Sequence, residues 1–510
     1  MKARALSTNS IANSQASATA SSFGNIYLDA LLWLTPTNPF GTIKSTTIDF
    51  SFGPQDGYKL YDPESTVDFL NSTNWNPSLG PQGSVSLLNG DVISIPKGWT
   101  GEQAATFVAL TAWASVANIS LNYTTDTQAA DFKFLVTNGS GMQDFWNGEK
   151  GVLGFSELPN NYGPNYGVND RDYSAGYAVF NQDGYGWTST GLMPGGYGYV
   201  TILHEIGHLF GLDHPWDEGG FYVNEDHSLG APEPFFPGAT ATYKTGVNGL
   251  NQGVFTTMTY NDGWSSQPSK SADWGYQMGP GAFDIAAIQK LYGANMSYHT
   301  GRDTYTLPGA NVSGTGWFTL WDAGGDDTIK VPDGAGGASI DLRAATLTAG
   351  DPGAGGYVSW VKGIAGGFTI ANGVVIENAV GGAGNDTITG NAAKNHLTGG
   401  GGQDTLTGGA DSDTFEFVKL TDSVAGAKHD VITDFAPGVD VIDLGEIDIS
   451  PAPGIQHFHH VDGGFTGTAG DLRFSNGLLS GDANGDRKAD FEIALTGVTA
   501  LNWSHDVLVA

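Results

Sequence analysis

The residues with the clearest chemistry lie in HEIGHLFGLDH, residues 204–214. On a helix, His204 and His208 stand one turn apart, so both imidazoles leave the same face and can share one metal ion. Glu205, beside the first of them, is placed to act as a base. Gly211 can take the left-handed backbone conformation that ends a helix, which turns the chain and brings His214 back as a third ligand. Three neutral imidazoles leave the fourth position of a tetrahedral zinc open. Zinc there lowers the pKa of a bound water towards neutrality, and an adjacent carboxylate can take its proton for attack on a carbonyl. The element that positions such ligands must be rigid. Leu203, Ile206, Leu209 and Phe210 give the helix an apolar stripe, which a plain core helix with incidental histidines would also carry.

A second feature follows 44 residues beyond His214, where the polar segment TTMTYND carries Met258 and, two residues on, Tyr260. Either residue alone would also serve as packing. The extended pattern HExxHxxGxxH is a metzincin signature, and Met258 resembles the methionine turn beneath the zinc in those enzymes. With Pro215 after the third histidine, the chain resembles the serralysin family of secreted zinc endopeptidases. That resemblance implies a metzincin-like α+β peptidase domain, one catalytic Zn2+ on His204, His208 and His214, and Glu205 as general base. It further implies that Tyr260 contacts the zinc at rest and swings away to stabilise the oxyanion. The family's Ser-Met-Ser-Tyr is here Thr257-Met258-Thr259-Tyr260, which keeps both hydroxyls.

The 510 residues suffice for two or three domains, and 40% hydrophobic residues can supply their cores. With 53 acids against 21 bases, the net charge of −32 excludes a general attraction to nucleic acid or anionic membrane. So many carboxylates need cations or water. The 76 glycines, roughly twice the usual share, point to tight turns. Calcium-binding repeats would account for both biases. There is no cysteine, so no disulfide can hold an extracellular fold, and calcium would have to do so. The N-terminus lacks the apolar run of a conventional signal peptide, and nothing approaches a membrane span.

Residues 1–44 read as a polar tail with a short apolar stretch at Tyr27, Leu28, Leu31, Leu32 and Trp33. The first 20 or so resemble a family pro-segment in composition, or a plain disordered tail. The peptidase domain is expected over 45–293. Ile48, Phe50 and Phe52, and later Phe132, Phe134 and Val136, alternate as in half-buried strands. Thr100 and Gln103 form a capping box before a helix whose Phe107, Leu110, Ala114 and Ala117 share a face. GYAVFN, residues 176–181, falls where the family has the edge strand that pairs with substrate; a buried strand would read similarly. Residues 215–255 carry Asp217, Glu218, Glu225 and Asp226, which suit a loop shaping the cleft, binding calcium, or simply solvated. AFDIAAIQKLYG, residues 282–293, closes the domain as a helix with Phe283, Ala286, Ala287 and Leu291 on one face.

From Gly381 the chain runs GGAGNDTIT, GNAAKNHLT, GGGGQDTLT, GGADSDTFE, four successive nonapeptides. The pattern GGxGxDxUx is the calcium-binding repeat of RTX proteins and predicts an all-β parallel β-roll over 294–510. Glycines allow turns whose carbonyls face the ion, and the sixth residue adds a side-chain oxygen. Candidate ligands are Asp386, Asp404 and Asp413, with Asn395 in a repeat that has lost most glycines. The eighth residues, Ile388, Leu397, Leu406 and Phe415, face inward. WDAGGDDTI, residues 321–329, resembles the isolated calcium turn that begins the family's C-terminal domain, with Asp322 and Asp327 as carboxylates. DANGDRKAD offers Asp482, Asn484, Asp486 and Asp490 as a further loop. His457, His459 and His460 suit a polar strand face or a weak metal site, and DVLVA at the end resembles an uncleaved export signal or a terminal strand.

Together these features predict a monomeric, extracellular zinc endopeptidase with several structural Ca2+ ions, exported by ABC-type machinery and acting on protein substrates. Rival expectations are a protease dedicated to one surface protein, and a calcium-bound cell-surface module whose peptidase domain is idle.

Overall fold

The structure is a computed structural model of the chain, and it describes residues 25–31, 46–53, 83–127, 129–140, 142, 151–157, 176–216, 221–223, 229–232, 235–450 and 454–509. The first 24 residues, and the acids Asp217, Glu218, Glu225 and Asp226, lie outside them.

The N-terminal half is a sheet backed by helices. Strands β1 (Thr47–Phe52), β2 (Ser84–Ser86), β3 (Val92–Ser94), β4 (Ser120–Tyr123), β5 (Phe132–Thr137), β6 (Gly154–Glu157) and β7 (Gly176–Asn181) are joined by helix α2 (Gly101–Val116). Five of them form one sheet in the order β4-β1-β5-β7-β6, parallel except for β6, while β2 and β3 form a separate hairpin. GYAVFN is therefore not the edge strand. It is β7, paired on both sides, and the antiparallel β6 lies at the edge. The reason is visible in its burial: five of its six residues are buried, so its apolar pattern belongs to an interior strand. β5 likewise is buried along its whole length rather than on one face.

The capping box forms, with Thr100 Oγ1 accepting from Gln103 N and Gln103 Oε1 accepting from Thr100 N. The helix buries two faces. Phe107 packs on Phe50 and Trp99 on the sheet side, while Trp113 on the other side donates its indole N–H to Leu203 O. That second contact joins it to helix α3 (Tyr197–Leu209), which carries the first two histidines and is buried at every position.

Asn25–Leu31 does not belong to a tail. Helix α1 (Ile26–Ala30) buries Tyr27 against Phe236 and Phe283, the latter on helix α4 (Ala282–Tyr292). Leu31 O accepts from Asp213 N, one residue before His214. Tyr27, Leu28, Ala30 and Leu31 are core residues, which is why they interrupt a polar run.

The C-terminal half is a roll of two largely parallel sheets facing each other. Strands 387–389, 405–407 and 430–432 stack in one; 378–380, 396–398, 414–416 and 441–443 stack in the other. Successive nonapeptides alternate between sheets, so partners in a ladder are 18 residues apart, as in Ile388 beside Leu406 and Leu397 beside Phe415. These four, expected to face inward, are fully buried. The terminal residues Val507–Leu508 add a strand beside 441–443. Among the described residues no helix is long and apolar enough to cross a membrane.

Candidate metal and catalytic site

Helix α3 and the turn after it gather the three histidines. Gly211 has φ +94°, and Leu212 N reaches back to Gly207 O, which reverses the chain towards the helix. The Nε2 atoms of His204, His208 and His214 then lie 3.1, 3.1 and 3.2 Å apart. These are not hydrogen bonds. His204 Nδ1 donates to Thr257 O and His208 Nδ1 to Leu212 O, so the ring protons sit on Nδ1 and the Nε2 lone pairs converge. Converging lone pairs repel unless a cation lies among them, and tetrahedral Zn–N bonds of about 2.0–2.1 Å separate their nitrogens by roughly 3.3 Å. The donor set fits zinc. Burial and the neighbouring imidazoles hold His204 down to about 3 and His208 well below its ordinary value, so both are neutral ligands.

Glu205 is fully buried beside this triangle, and burial pushes its carboxyl up to about 8. Its Oε2 accepts from Ser156 on β6, while Oε1 has no hydrogen-bond partner among the described residues. Tyr260 lies over the histidines, its ring 5.6 Å from that of His204 and 4.9 Å from that of His214. Trp216 stacks on His214 at 4.7 Å and touches Tyr260 at 4.6 Å.

Met258 is completely buried under the helix. The helix has Gly207 at the crossing because a Cβ there would lie 2.4 Å from Met258 Sδ. The turn is fastened by a residue that the sequence patterns did not single out. Asp284, at the start of α4 and wholly buried, accepts from Thr256 Oγ1 (2.6 Å), Thr257 N (2.5 Å) and Gly281 N (2.8 Å). Through Thr257, whose carbonyl orients His204, it reaches the metal triangle. The only sequence signal was an acid in an otherwise apolar helix face.

The candidate calcium residues are also buried: Asp322, Asp327, Asp386, Asn395, Asp404 and Asp413. The four in the nonapeptides start two ladders through backbone amides, Asp386 N to Asp404 and Asp404 N to Asp430, and Asn395 N to Asp413 and Asp413 N to Asp440. Asp430 and Asp440 were not foreseen, since they lie beyond the nonapeptides. Burial, with the neighbouring carboxylates second to it, pushes Asp404 up to about 8 and Asp413, Asp430 and Asp327 to about 7. One carboxylate oxygen on each of Asp327, Asp404 and Asp430 has no hydrogen-bond partner among the described residues. Buried, unpartnered carboxylate oxygens fit hard cations such as Ca2+. Asn395 differs: its side chain closes its own turn on Asn391 N and Glu377 O.

His299, Asp303 and Asp322 place ligand atoms within 4.8 Å of one another, a grouping not anticipated from sequence, and His299 also meets Asp91 of the β2–β3 turn. In the DANGDRKAD loop, by contrast, Asp482 and Asp490 use their oxygens on loop amides. His459 pairs with Asp471 and His460 stacks on Trp503, a polar strand edge.

Comparison with known proteins gives a family model, described as Peptidase M10 serralysin C terminal, that matches residues 282–509. The metallopeptidase AprA of Pseudomonas marginalis is 34% identical over 441 residues, 79% of each chain. The metalloprotease AprA of Pseudomonas entomophila is 31% identical over 519 residues, 91% of this chain and 95% of that one. Serralysin A of Dickeya chrysanthemi is 34% identical over 409 residues, 74% of each.

Proposed function

Since this chain belongs to the serralysin family, we propose that it is a secreted, calcium-dependent zinc endopeptidase that hydrolyses peptide bonds in proteins. The observation that carries the reading is the triangle of Nε2 lone pairs beside a carboxylate oxygen without a partner among the described residues. His204, His208 and His214 hold the ion. Zinc supplies a Lewis acid that polarises the scissile carbonyl and acidifies water.

The chain's own groups do the rest. Glu205, through Oε1, takes the proton of the attacking water and passes it to the leaving amine. Burial disfavours the carboxylate form of Glu205, and the positive charge of an ion held by the three histidines would favour it. Tyr260, over His204 and His214, donates its phenol to the oxyanion. β6, the edge of the sheet, pairs with an extended substrate, and its Gly154 and Ser156 bring that strand against Glu205.

The peptidase part, residues 45–293 with helix α1 packed into its core, has a metzincin-like α+β fold, and 294–510 form the roll. In the roll Asp322, Asp327, Asp386, Asp404 and Asp413 hold Ca2+, joined by Asp430 and Asp440, while Asn395 serves chiefly as a turn closure. In a calcium-poor cytosol these carboxylates repel and keep the roll unfolded for ABC-type export; outside, calcium binds the folded form and draws it over. The enzyme acts as a monomer, without nucleic acid or membrane insertion.

The test is cleavage of casein with calcium present by wild type and Glu205→Ala, with and without o-phenanthroline. Wild-type cleavage that is lost in the variant and in the chelator, with zinc still bound to the variant, is the expected result. Substantial hydrolysis by Glu205→Ala sinks the assignment of the base. No wild-type cleavage despite bound zinc moves the reading to a protease dedicated to one surface protein, or to a calcium-bound surface module whose catalytic site is idle.

A further inference from the structure

β6 alternates its side chains between two environments. Phe155 points into a cluster with Leu135, Met142, Val152 and Val179, so its neighbours Gly154 and Ser156 face the opposite way, towards helix α3. There the strand approaches the helix as closely as it can. A Cβ on Gly154 would lie 3.1 Å from Glu205 Cγ and 3.2 Å from Thr201 Cγ2. One pleat along, the Ser156 hydroxyl, itself 1% exposed, donates to Glu205 Oε2 at 2.8 Å.

A carboxylate has two oxygens and a freely turning terminal torsion. Here the two are distinguished. Oε2 is committed to a buried hydroxyl, and Oε1 has no partner among the described residues. We infer that Ser156 is a positioning residue for hydrolysis: its hydroxyl fixes the Glu205 carboxylate in the one orientation that presents Oε1 to the water. This rests on the reading of Glu205 as the base. Because Ser156 also sits on the edge strand, the device links substrate pairing to catalysis. A peptide aligned on β6 is aligned on the same strand that sets the base, so a shift of that strand moves both.

Removing the hydroxyl leaves the fold's apolar packing intact and frees the carboxylate to rotate. The charge-assisted hydrogen bond it loses is of a size that sets a fall in kcat of about tenfold. KM stays within about twofold, because the outer side of β6 is unchanged.

The experiment compares wild type, Ser156→Ala and Ser156→Gly on a fluorogenic peptide with calcium present, together with zinc stoichiometry and melting temperature. The expected result is a similar fall in kcat for both variants, with KM, zinc content and melting temperature near wild type. Two variants are used because both remove the hydroxyl, Ala keeping the Cβ carbon beside Glu205 and Gly removing it. Either variant at the wild-type rate shows that the hydroxyl is not needed and overturns the inference. So does a rise in KM with kcat unchanged, a fall in kcat that tracks zinc loss, or wild-type kinetics in both variants. If wild type itself cleaves nothing, the peptidase reading fails; if wild type cleaves and both variants match it, only the role of Ser156 fails.

Discussion

Removing calcium should invert the way stability depends on pH, because the roll buries carboxylates against one another. Asp327, Asp404, Asp413 and Asp430 all have folded-state pKa values pushed far above the ordinary carboxylate, by burial first and then by neighbouring acids. The folded form therefore binds protons that the unfolded form has released. The destabilising contribution is absent below the unfolded pKa near 4, grows as pH rises, and is complete above about 7–8. A tenfold difference in proton affinity is worth about 1.4 kcal/mol, so taking no more than that from each of the four gives on the order of 5 kcal/mol. For a unit the size of the roll this corresponds to roughly 10–20 °C in melting temperature. The assay is thermal unfolding of the full chain, followed by circular dichroism at β wavelengths, from pH 5 to pH 8, in EGTA and in calcium. A parallel melt in calcium with o-phenanthroline separates the loss of zinc. In EGTA the roll should melt lower at pH 8 than at pH 5, or be unfolded from the start at pH 8, and calcium should abolish or reverse that slope. A melting temperature that is flat or rising with pH in EGTA would refute the reasoning, since it would mean that these carboxylates are not held against each other.

Two substitutions probe the floor of the zinc site. Gly207→Ala puts a methyl where only 2.4 Å separates it from Met258 Sδ, and overpacking of this kind costs about 1–3 kcal/mol; zinc content and melting temperature should both fall. Asp284→Asn keeps the shape but replaces one acceptor oxygen by a donor facing Thr257 N, Gly281 N or Thr256 Oγ1. Since Thr257 O orients His204, zinc affinity measured by competition with a chelating dye should drop about 10- to 100-fold, as when outer partners of metal-bound histidines are lost. Wild-type zinc affinity in that variant would show that the turn holds His204 without Asp284.

What was legible follows from how local each feature is. The one-turn spacing of His204 and His208, the glycine that must adopt φ +94°, and the nonapeptide register are all written within a few residues of one another. The helix from Gly101 was readable from its capping box, but its second buried face was not. Ala105, Val108 and Ala112 read as ordinary helix formers until Trp113 is seen donating to Leu203 O. The nonapeptide period does not mark Asp430 and Asp440, because they join the ladders after steps of 26 and 27 residues rather than 18, where a longer loop has been inserted.

The interior place of GYAVFN is not written in its sequence, for a physical reason that also hides Ser156. An edge strand and an interior strand differ in how many neighbours they have, and GYAVFN says only that both of its faces are apolar; the segment GFSE carries too little pattern to claim either position. Ser156 lies 49 residues before Glu205, and a serine in a short strand has no spacing relation to a glutamate on a distant helix. Asp284 is hidden in the same way, 27 residues from the amide it holds. The ligands of the metal lie on one helix and its returning turn, so local spacing reveals them. The groups that orient those ligands and the base come from the edge strand, the turn beneath and the closing helix. They are brought together by tertiary packing alone, and a pattern search along the chain finds the atoms that touch the metal before those that hold them in place.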